Sequence, residues 1–377
     1  MKFTIYGKHF ADIVNRISGI IPKKSVSPII QNIEITTSRK TNTLTLQATN
    51  LMGYCTINSY ANVYEDGIIF VCYDDIKKAI GISDEITVTS SGKVLDIRSA
   101  KKSYEIPCTS EDRCTDYPKF LDTSTEICTQ NEKELLGYLE NLGCILDIYS
   151  PNTLLQTFYF DFPKQKIIAM NGHMIGIANV STCFPNANPI LVHGSSCVDM
   201  KKLAGKSSAE KVITIYADNK VVKFQGDDWT YSTNLVQGKY FNYEGFMRHC
   251  GDYAFKCDGK ELLKIAKEYQ KCIPSNNIMP MYFVGVNGKI ATGITTDNYR
   301  TSDVLDITPE YGLEKEWFKG FNPSYIVDAC KICDGDIMIC SDYKKTAPFF
   351  IENNTYKICV LPVNITNEPD FIMRQIA

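Results

Sequence analysis

Cys330 and Cys333 are separated by two residues, a spacing that suits zinc binding or redox chemistry. A zinc site of the finger type would need a second Cys pair or Cys/His pair at a similar spacing, and the sequence has none. The pair also lies in a helical pattern. Ordinary helix packing is therefore the favoured interpretation of these two cysteines.

A nucleophile with a neighbouring base is the other chemistry to consider, because the chain has fifteen cysteines and four histidines. One of the four histidines, His173, lies in the segment IAMNGHMIGIANV, where it could be a catalytic base, a metal ligand or a structural residue. The positions of the cysteines and histidines in the sequence do not indicate that any two of them act as a pair. The P-loop, dinucleotide glycine and His-Glu-x-x-His motifs do not occur either. A Cys/His-dependent hydrolase is the alternative from the enzyme class, and no cofactor and no metal are predicted.

Composition places the chain among ordinary globular proteins of several domains. It has 377 residues, 44% hydrophobic and 22% charged, with a net charge of -3. This balance argues against a protein that coats nucleic acid through overall basicity, but it permits lysines concentrated on one face. No apolar run is long enough to span a membrane, and Lys2, Lys8 and Asp12 interrupt the block that a signal peptide needs. The odd number of cysteines favours free thiols, so we expect a soluble cytoplasmic protein without membrane contact.

A threefold repeat runs through the sequence. Buried stripes of amphipathic helices begin at Phe10, Leu135 and Leu262, at steps of 125 and 127 residues. Turns at Asn50, Asn171 and Asp297 and later helices with Asp75, Asp199 and Asp328 follow nearly the same period. The repeat predicts three units of similar construction.

Short runs rich in Ile, Val, Thr and Tyr alternate in polarity between these helices, and turns such as SSGK, ADNK and VNGK separate them. This pattern predicts antiparallel hairpins. The fold class is therefore α+β, with antiparallel sheet and two helices in each repeat. The predicted domains are 1–125, 126–251 and 252–365, followed by a C-terminal tail at 366–377.

The opening MKFTI, the segments SPIIQNIEI and LTLQATNL, the central MNGHMIGIA, the later LVQGKYFNY and the closing YKICVLPVNI stand in a characteristic order. Together with the repeat they resemble the β subunit of bacterial DNA polymerase III, the sliding clamp, over the whole chain to Ile365. The resemblance implies a head-to-tail homodimeric ring that encircles double-stranded DNA without sequence preference. It also implies a processivity factor with no catalytic activity, whose partners are the replicative DNA polymerase and the clamp loader. A clamp homologue that does not close is a further alternative.

A ring that holds DNA by topology needs only modest affinity for phosphates, so lysines should line the hole. Arg16 and several lysines stand on polar helix faces, and two loops are similar to DNA-facing loops of the family. In the second loop, Asn152 stands where many clamps have an arginine. The predicted DNA-binding residues are Lys23, Lys24, Lys77, Lys78, Tyr149, Asn152, Lys201, Lys202, Lys264, Lys267 and Lys331.

The resemblance also implies a dimer interface between opposite ends of the protomer. Its first-domain side is the strand KKSYEIPC, which would present Tyr104 and Ile106 to the partner. Its third-domain side would include Ile273 and Pro274. Without the resemblance, Tyr104 and Ile106 read equally well as internal core.

A pocket between the second and third domains is implied to accept a short apolar segment of polymerases and other partners. Its wall would be Leu155, Met170, Gly172, His173, Met174, Ile175, Phe241, Gly245, Phe246, Cys359, Leu361, Pro362, Val363 and Asn364. Arginines common at three pocket positions are replaced by Met174, Gly245 and Asn364, and a usual proline by Phe241. We therefore expect an adapted partner motif, with His173 anchoring its turn by hydrogen bonding and Met174 offering adaptable apolar surface.

The chain continues beyond the point where the family usually stops, with TNEPDFIMRQIA. One interpretation is a disordered tail. The other is that Phe371, Ile372 and Met373 fold back toward the pocket and compete with partners.

Overall fold

A computed structural model describes residues 1–25, 27–111, 114, 116–119, 122–180, 187–206, 210–247, 251–273, 279–296, 299–365 and 369–377. The chain divides into two compact units. The first contains Met1–Gly137 and Val192–Val236, and the second contains Gln237–Ala377 with most of residues 138–191.

The strands are short and follow one another closely along the chain. In chain order they are β1 (Lys2–Tyr6), β2 (Asn32–Ser38), β3 (Thr43–Thr49), β4 (Gly53–Tyr60), β5 (Asn62–Glu65), β6 (Gly67–Cys72), β7 (Glu85–Ser90), β8 (Val94–Arg98), β9 (Ser103–Pro107), β10 (Thr109–Ser110), β11 (Glu126–Asn131), β12 (Thr157–Asp161), β13 (Lys166–Met170), β14 (Met174–Asn179), β15 (Ile190–His193), β16 (Val212–Ala217), β17 (Val221–Gln225), β18 (Trp229–Asn234), β19 (Tyr253–Asp258), β20 (Met281–Val286), β21 (Lys289–Thr295), β22 (Arg300–Leu305), β23 (Ile307–Tyr311), β24 (Trp317–Phe321), β25 (Asp336–Ser341), β26 (Phe349–Glu352) and β27 (Tyr356–Val360).

Helices lie between groups of strands. They are α1 (Gly7–Ile17), α2 (Tyr73–Ala79), α3 (Glu132–Gly143), α4 (Ser195–Ala204), α5 (Tyr243–Met247), α6 (Gly259–Cys272), α7 (Pro323–Ile332) and α8 (Asp370–Ile376). Short 3-10 helices occupy Pro28–Gln31, Thr153–Gln156 and Phe162–Lys164.

Each unit contains two sheets. The first unit has a five-stranded sheet in the order β5-β1-β7-β8-β9 and a nine-stranded sheet in the order β10-β6-β2-β3-β4-β18-β17-β16-β11. The second has a nine-stranded sheet in the order β15-β12-β13-β14-β27-β26-β25-β19-β23 and a four-stranded sheet in the order β22-β21-β20-β24. The described strand pairs are antiparallel, which confirms the predicted α+β class.

The repeat is visible in how its first helices begin. The backbone N–H groups of Gly7, Glu132 and Gly259, the first residues of α1, α3 and α6, each donate to a carbonyl of a later loop, at N···O distances of 2.9 Å. The predicted stripes are buried as well: Phe10, Leu135 and Leu262 are at most 1% exposed. The predicted hairpin turns also form, and Asn287 and Gly288 join β20 to β21 with φ of 51° and 78°.

The nine-stranded sheets join strands from neighbouring repeats. In the first unit β4 pairs with β18, so that Gly53 lies opposite Thr233. In the second unit β14 pairs with β27 in the corresponding register, with Met174 opposite Val360. Consecutive repeats therefore share one continuous sheet rather than packing as separate bodies.

Arg16 does not lie on a solvent face of α1, as its place in the sequence predicted. Its side chain is 11% exposed and forms a two-pronged ion pair with Asp228, with both nitrogen–oxygen distances 2.6 Å. Its Nε also donates to the carbonyl of Leu203, at the end of α4, at 2.6 Å. Arg16 therefore ties α1 to α4 and to the turn before β18.

The tail is not disordered over the residues described, and its apolar residues do not fold into the predicted pocket. Residues 370–376 form α8, which packs on β20, β21 and β22 of the four-stranded sheet. Ile372 is fully buried there, Met373 is partly buried, and Phe371 is 44% exposed. Both interpretations of this segment were therefore wrong.

Replacing Arg16 by Met keeps the apolar stem but leaves the half-buried Asp228 without its partner. We expect Arg16→Met to lower the free energy of unfolding by about 2–3 kcal/mol, as for a charge-assisted pair with little solvent around the cation. Thermal or urea unfolding would measure it. Lys8→Met on the exposed side of the same helix is the control, with a change of less than about 0.5 kcal/mol. Equal midpoints for the two variants would contradict the structural role of Arg16.

The buried carboxyl of Asp199 on α4 makes the stability of the first unit depend on pH, and this dependence can be tested. Burial raises the pKa of its carboxyl to about 6, against the opposing effects of the Tyr231 hydroxyl and the Lys202 charge. Because this pKa lies above the ordinary aspartate value, folding takes up a proton between roughly pH 4 and 6. The resulting stability is fully present below that window and is lost as pH rises through it.

The variant Asp199→Asn keeps an oxygen that can accept from Tyr231 and removes the buried charge. It should raise the melting temperature at pH 7, by the equivalent of at most about 3 kcal/mol, and flatten its dependence on pH between 4 and 6. Asp75 is the matched control, because the corresponding carboxylate in the first repeat is more exposed and pairs with Lys78 at 2.8 Å. A loss of stability in Asp199→Asn at pH 7 similar to that in Asp75→Asn would show that the Asp199 charge is not a liability.

Candidate peptide pocket and nucleic acid interface

The turn between β13 and β14 is held by Asn171. Its Oδ1 accepts from the backbone N–H groups of His173 and Met174, at 2.8 and 2.7 Å, and its Nδ2 donates to the carbonyl of Ile145 at 2.8 Å. The first repeat builds the same turn, where Asn50 Oδ1 accepts from two backbone N–H groups. The third marker of this series, Asp297, lies outside the described residues. The anchor of the turn is thus the asparagine side chain and not the His173 ring.

The exposed ring of His173 stacks on Tyr325 of α7, with ring centroids 5.3 Å apart and planes inclined by 22°. The carbonyl of His173 accepts from the N–H of Leu361, just after β27, at 2.9 Å. The sequence had not singled out Tyr325 as a site residue. Its only signal was its position in YIVDACKI, three residues before the repeated Asp328.

The predicted pocket residues of this region separate into an inner and an outer group. Met170, Met174, Ile175 and Cys359 are 2–8% exposed and belong to the sheet interior. Gly172, His173, Leu361 and Asn364 are exposed, while Leu155, Pro362 and Val363 are partly buried. Met174, at 2% exposed, does not offer the adaptable surface that was expected. The apolar surface is supplied instead by Leu361, at 42%.

The segment containing Phe241, Gly245 and Phe246 is held beside β12 by tyrosines. Tyr240 stacks on Tyr159 with centroids 4.6 Å apart, and the Tyr243 hydroxyl donates to Asp161 at 2.7 Å. Burial and the Asp161 hydrogen bond together raise the pKa of Tyr243, so it stays a neutral donor. Phe246 is 60% exposed and is the large apolar side chain that this segment offers to a partner.

The predicted DNA-binding lysines are exposed in both units. In the first unit Lys23, Lys77 and Lys202 line a common cavity of about 530 Å³ together with Gln31 and Tyr73. In the second unit Lys264 and Lys267 are exposed on α6. The structure thus brings three of the predicted cations together around one opening.

Some of these lysines already have a carboxylate partner. Lys78 pairs with Asp75 at 2.8 Å, and Lys331 pairs with Asp328 at 3.1 Å, each three residues apart on its helix. The hydrogen bond and charge of Asp75 raise the pKa of Lys78. Asp75 and Asp328 therefore reduce the net charge that these two positions present.

The loop that precedes Thr153 contains the remaining two predicted DNA contacts. Tyr149 is 90% exposed and available to a ligand. Asn152 is exposed too, but its side-chain oxygen accepts from the N–H of Leu154 at 3.1 Å and caps the 3-10 helix.

The predicted dimer residues lie near open sheet edges. Within the described ranges, β9 pairs only with β8, and β22 pairs only with β21. Tyr104 on β9 is partly exposed, whereas Ile106 is 5% exposed and belongs to the core of its own chain, contrary to expectation. Ile273 directly follows α6, and Pro274 lies outside the described residues. The sequence had not identified β22 as an edge.

The environment of Cys330 and Cys333 does not favour a reactive site. Cys330 and Cys333 are buried in α7 and beside it, and burial raises the pKa of both thiols, that of Cys333 to about 12. A nucleophile or zinc ligand needs the thiolate, which this environment disfavours. Across the residues that the structure describes, no group of three or more His, Cys, Asp and Glu could hold a metal ion. The described helices also include none that is long and apolar enough to cross a membrane.

The role of Asn171 can be tested against that of His173. Asn171→Ala removes three hydrogen bonds from a half-buried turn, so we expect a loss of about 2–3 kcal/mol in the free energy of unfolding. His173→Ala removes only ring stacking and should cost less than about 1 kcal/mol. Denaturant titration of both variants would measure the difference. A larger loss of unfolding free energy in His173→Ala than in Asn171→Ala would show that the histidine, and not the asparagine, holds the turn.

The chain is similar to known proteins over nearly its whole length. It is 22% identical to the beta sliding clamp of Vibrio cholerae, covering 97% of this chain and 100% of that protein, and 20% identical to that of Escherichia coli, covering 91% and 93%. No family model matches the chain.

Solved structures agree on the fold. The sliding clamp of Bacillus subtilis superimposes with a TM-score of 0.86 at 15% identity, and the DNA polymerase beta subunit of Streptococcus pyogenes with 0.86 at 14%, each over 97% of this chain and 100% of the other. The relatives are named as sliding clamps and polymerase beta subunits, so the comparisons favour the predicted clamp over a Cys/His hydrolase. The chain is therefore similar to beta sliding clamps in sequence over nearly its whole length, and it shares the fold of the solved clamp structures.

Proposed function

We propose that two copies of this chain close head to tail into a ring that encircles duplex DNA and tethers a replicative polymerase. The observation that carries the proposal is that β9 in the first repeat and β22 in the third each stand at the end of a sheet. An unpaired edge exposes a row of N–H and C=O groups that another chain can satisfy. Pairing β9 of one copy with β22 of the next is a heterologous contact, and two such contacts close a ring.

The proposed interface combines this strand pairing with the predicted residues. Tyr104 is partly exposed on β9 and would contact the partner beside β22. Ile273 and Pro274, which follow α6 in the sequence, would belong to the partner's side of the interface. Ile106 would hold β9 in place by packing in the core of its own chain and would not contact the partner directly. The five residues of β9 and six of β22 are long enough for a ladder of several hydrogen bonds.

Modest charge on the DNA-facing helices supports sliding rather than fixed binding. The predicted contacts are mostly lysines, which act as mobile point charges, and two of them already pair with aspartates at 2.8 and 3.1 Å. Neutralising fewer phosphates gives weaker binding and a shallower salt dependence. Topology would then hold the ring on DNA while the cations allow movement along it.

The proposed docking site for an apolar peptide of the polymerase and the clamp loader consists of His173 with its neighbours Tyr325 and Leu361, together with the exposed Phe246. It has aromatic and apolar side chains with few charges, the composition of an anchor pocket. Because Met174, Gly245 and Asn364 replace common arginines and Phe241 replaces a proline, the partner motif should be adapted to a less cationic site. The proposed domains are 1–125, 126–251 and 252–365, and the clamp would act in the cytoplasm.

The encircling function can be tested by topology. The protein is loaded by a clamp loader onto a nicked plasmid, and half of the sample is cut once with a restriction enzyme before gel filtration. We expect protein to stay with the circles and to leave the linear molecules. Equal retention on both forms, or none on circles, would overturn the ring and favour a homologue that does not close.

A further inference from the structure

The C-terminal helix α8 is built into the surface of the four-stranded sheet. Ile372 and Ile376 are 0% and 1% exposed and form one apolar cluster with Val284, Ala291 and Phe318 of the sheet. Pro369, one turn earlier, is buried as well. The spacing of these residues places a single apolar stripe of the helix against the sheet.

Two glycines shape the sheet surface for the tail. A Cβ at Gly293 on β21 would come within 2.6 Å of Ile372 Cδ1, and a Cβ at Gly320 on β24 would come within 2.6 Å of Ile365 Cγ2. Any side chain at either position would displace the isoleucine above it. Glycine in a strand interior weakens the strand and marks a close approach, which here is the approach of the tail.

The segment between β27 and this helix is the last wall of the proposed pocket. It is fixed at its start, where the N–H of Leu361 donates to the carbonyl of His173 at 2.9 Å, and near its end, where the N–H of Val363 donates to the carbonyl of Gly320 at 2.9 Å. Ile365 then packs against the same cluster as Ile372 and Ile376. Leu361–Asn364 is therefore held between β14 on one side and the sheet covered by α8 on the other.

We propose that α8 is a positioning element for the peptide pocket, which fixes the wall Leu361–Asn364 before a partner arrives. A wall of four residues at a free chain end would fray, and a partner would have to order it on binding. Anchoring by Ile365, Ile372 and Ile376 removes that entropic cost from the binding step. The inference rests on the proposed function of the pocket, but the anchoring itself does not.

Amide hydrogen exchange tests the anchor without a peptide. A chain truncated after Ile365 and the full-length variant Ile376→Ser are compared with the unmodified protein over the segment Leu361–Asn364. We expect exchange there to rise about tenfold or more in both, while β25, β26 and β27 keep their protection. Phe371→Ser is the matched control, because this exposed residue lies on the opposite face of α8. Unchanged exchange in both test variants would overturn the anchor.

Peptide affinity then tests the consequence. The probe is a fluorescently labelled pentapeptide with Leu and Phe anchors, followed by anisotropy with the same four proteins. Binding should weaken about tenfold in the truncated chain and in Ile376→Ser, and stay unchanged in Phe371→Ser. Equal affinity of all four proteins, despite faster exchange, would overturn the positioning role. If the unmodified protein binds no such peptide, the proposed pocket fails, and the exchange result alone decides whether α8 is an anchor.

Discussion

The pairing of β14 with β27 is the constraint on which the candidate peptide site depends. These strands are about 180 residues apart in sequence, yet Met174 lies opposite Val360 and Ile175 opposite Cys359. The register fixes which residues emerge at the sheet end: His173 from one strand and Leu361 from the other, joined by a backbone hydrogen bond of 2.9 Å. A shift of one strand by one residue would move its side chains to the other face of the sheet and separate His173 from Leu361.

Strands of different repeats also pair where β4 lies beside β18. This pairing explains how three similar repeats stabilise one another. Each repeat leaves a sheet edge that the next one covers, so that edge groups are satisfied inside the chain. The first and the last repeat each lack a neighbour on one side, so some of their edge strands stay uncovered. β9 and β22 are among the strands that remain at the end of a sheet, and pairing between two copies of the chain would cover both.

Much of this could be read from the sequence because it depends on local pattern. The buried stripe of α1, the Asn287–Gly288 hairpin and the turn at Asn171 follow from periodicity and turn chemistry. The rest depends on partners distant in sequence. Arg16 was predicted to face solvent because its polarity was visible and Asp228, 212 residues away, was not recognisable as its partner. Met174 and Ile106 were predicted as surface because their strands were known but not the side chains that cover them. The tail has apolar residues, but nothing in the sequence indicates which sheet they cover; in the structure Gly293 and Gly320 leave the space that Ile372 and Ile365 occupy.

Electron microscopy of the purified protein shows directly whether two chains close through β9 and β22, as we propose. We expect closed rings of two chains in which strand Ser103–Pro107 of one copy continues the sheet of strand Arg300–Leu305 of the other at both seams. Single chains at concentrations well above those of the cell, or rings joined through other edges, would contradict it.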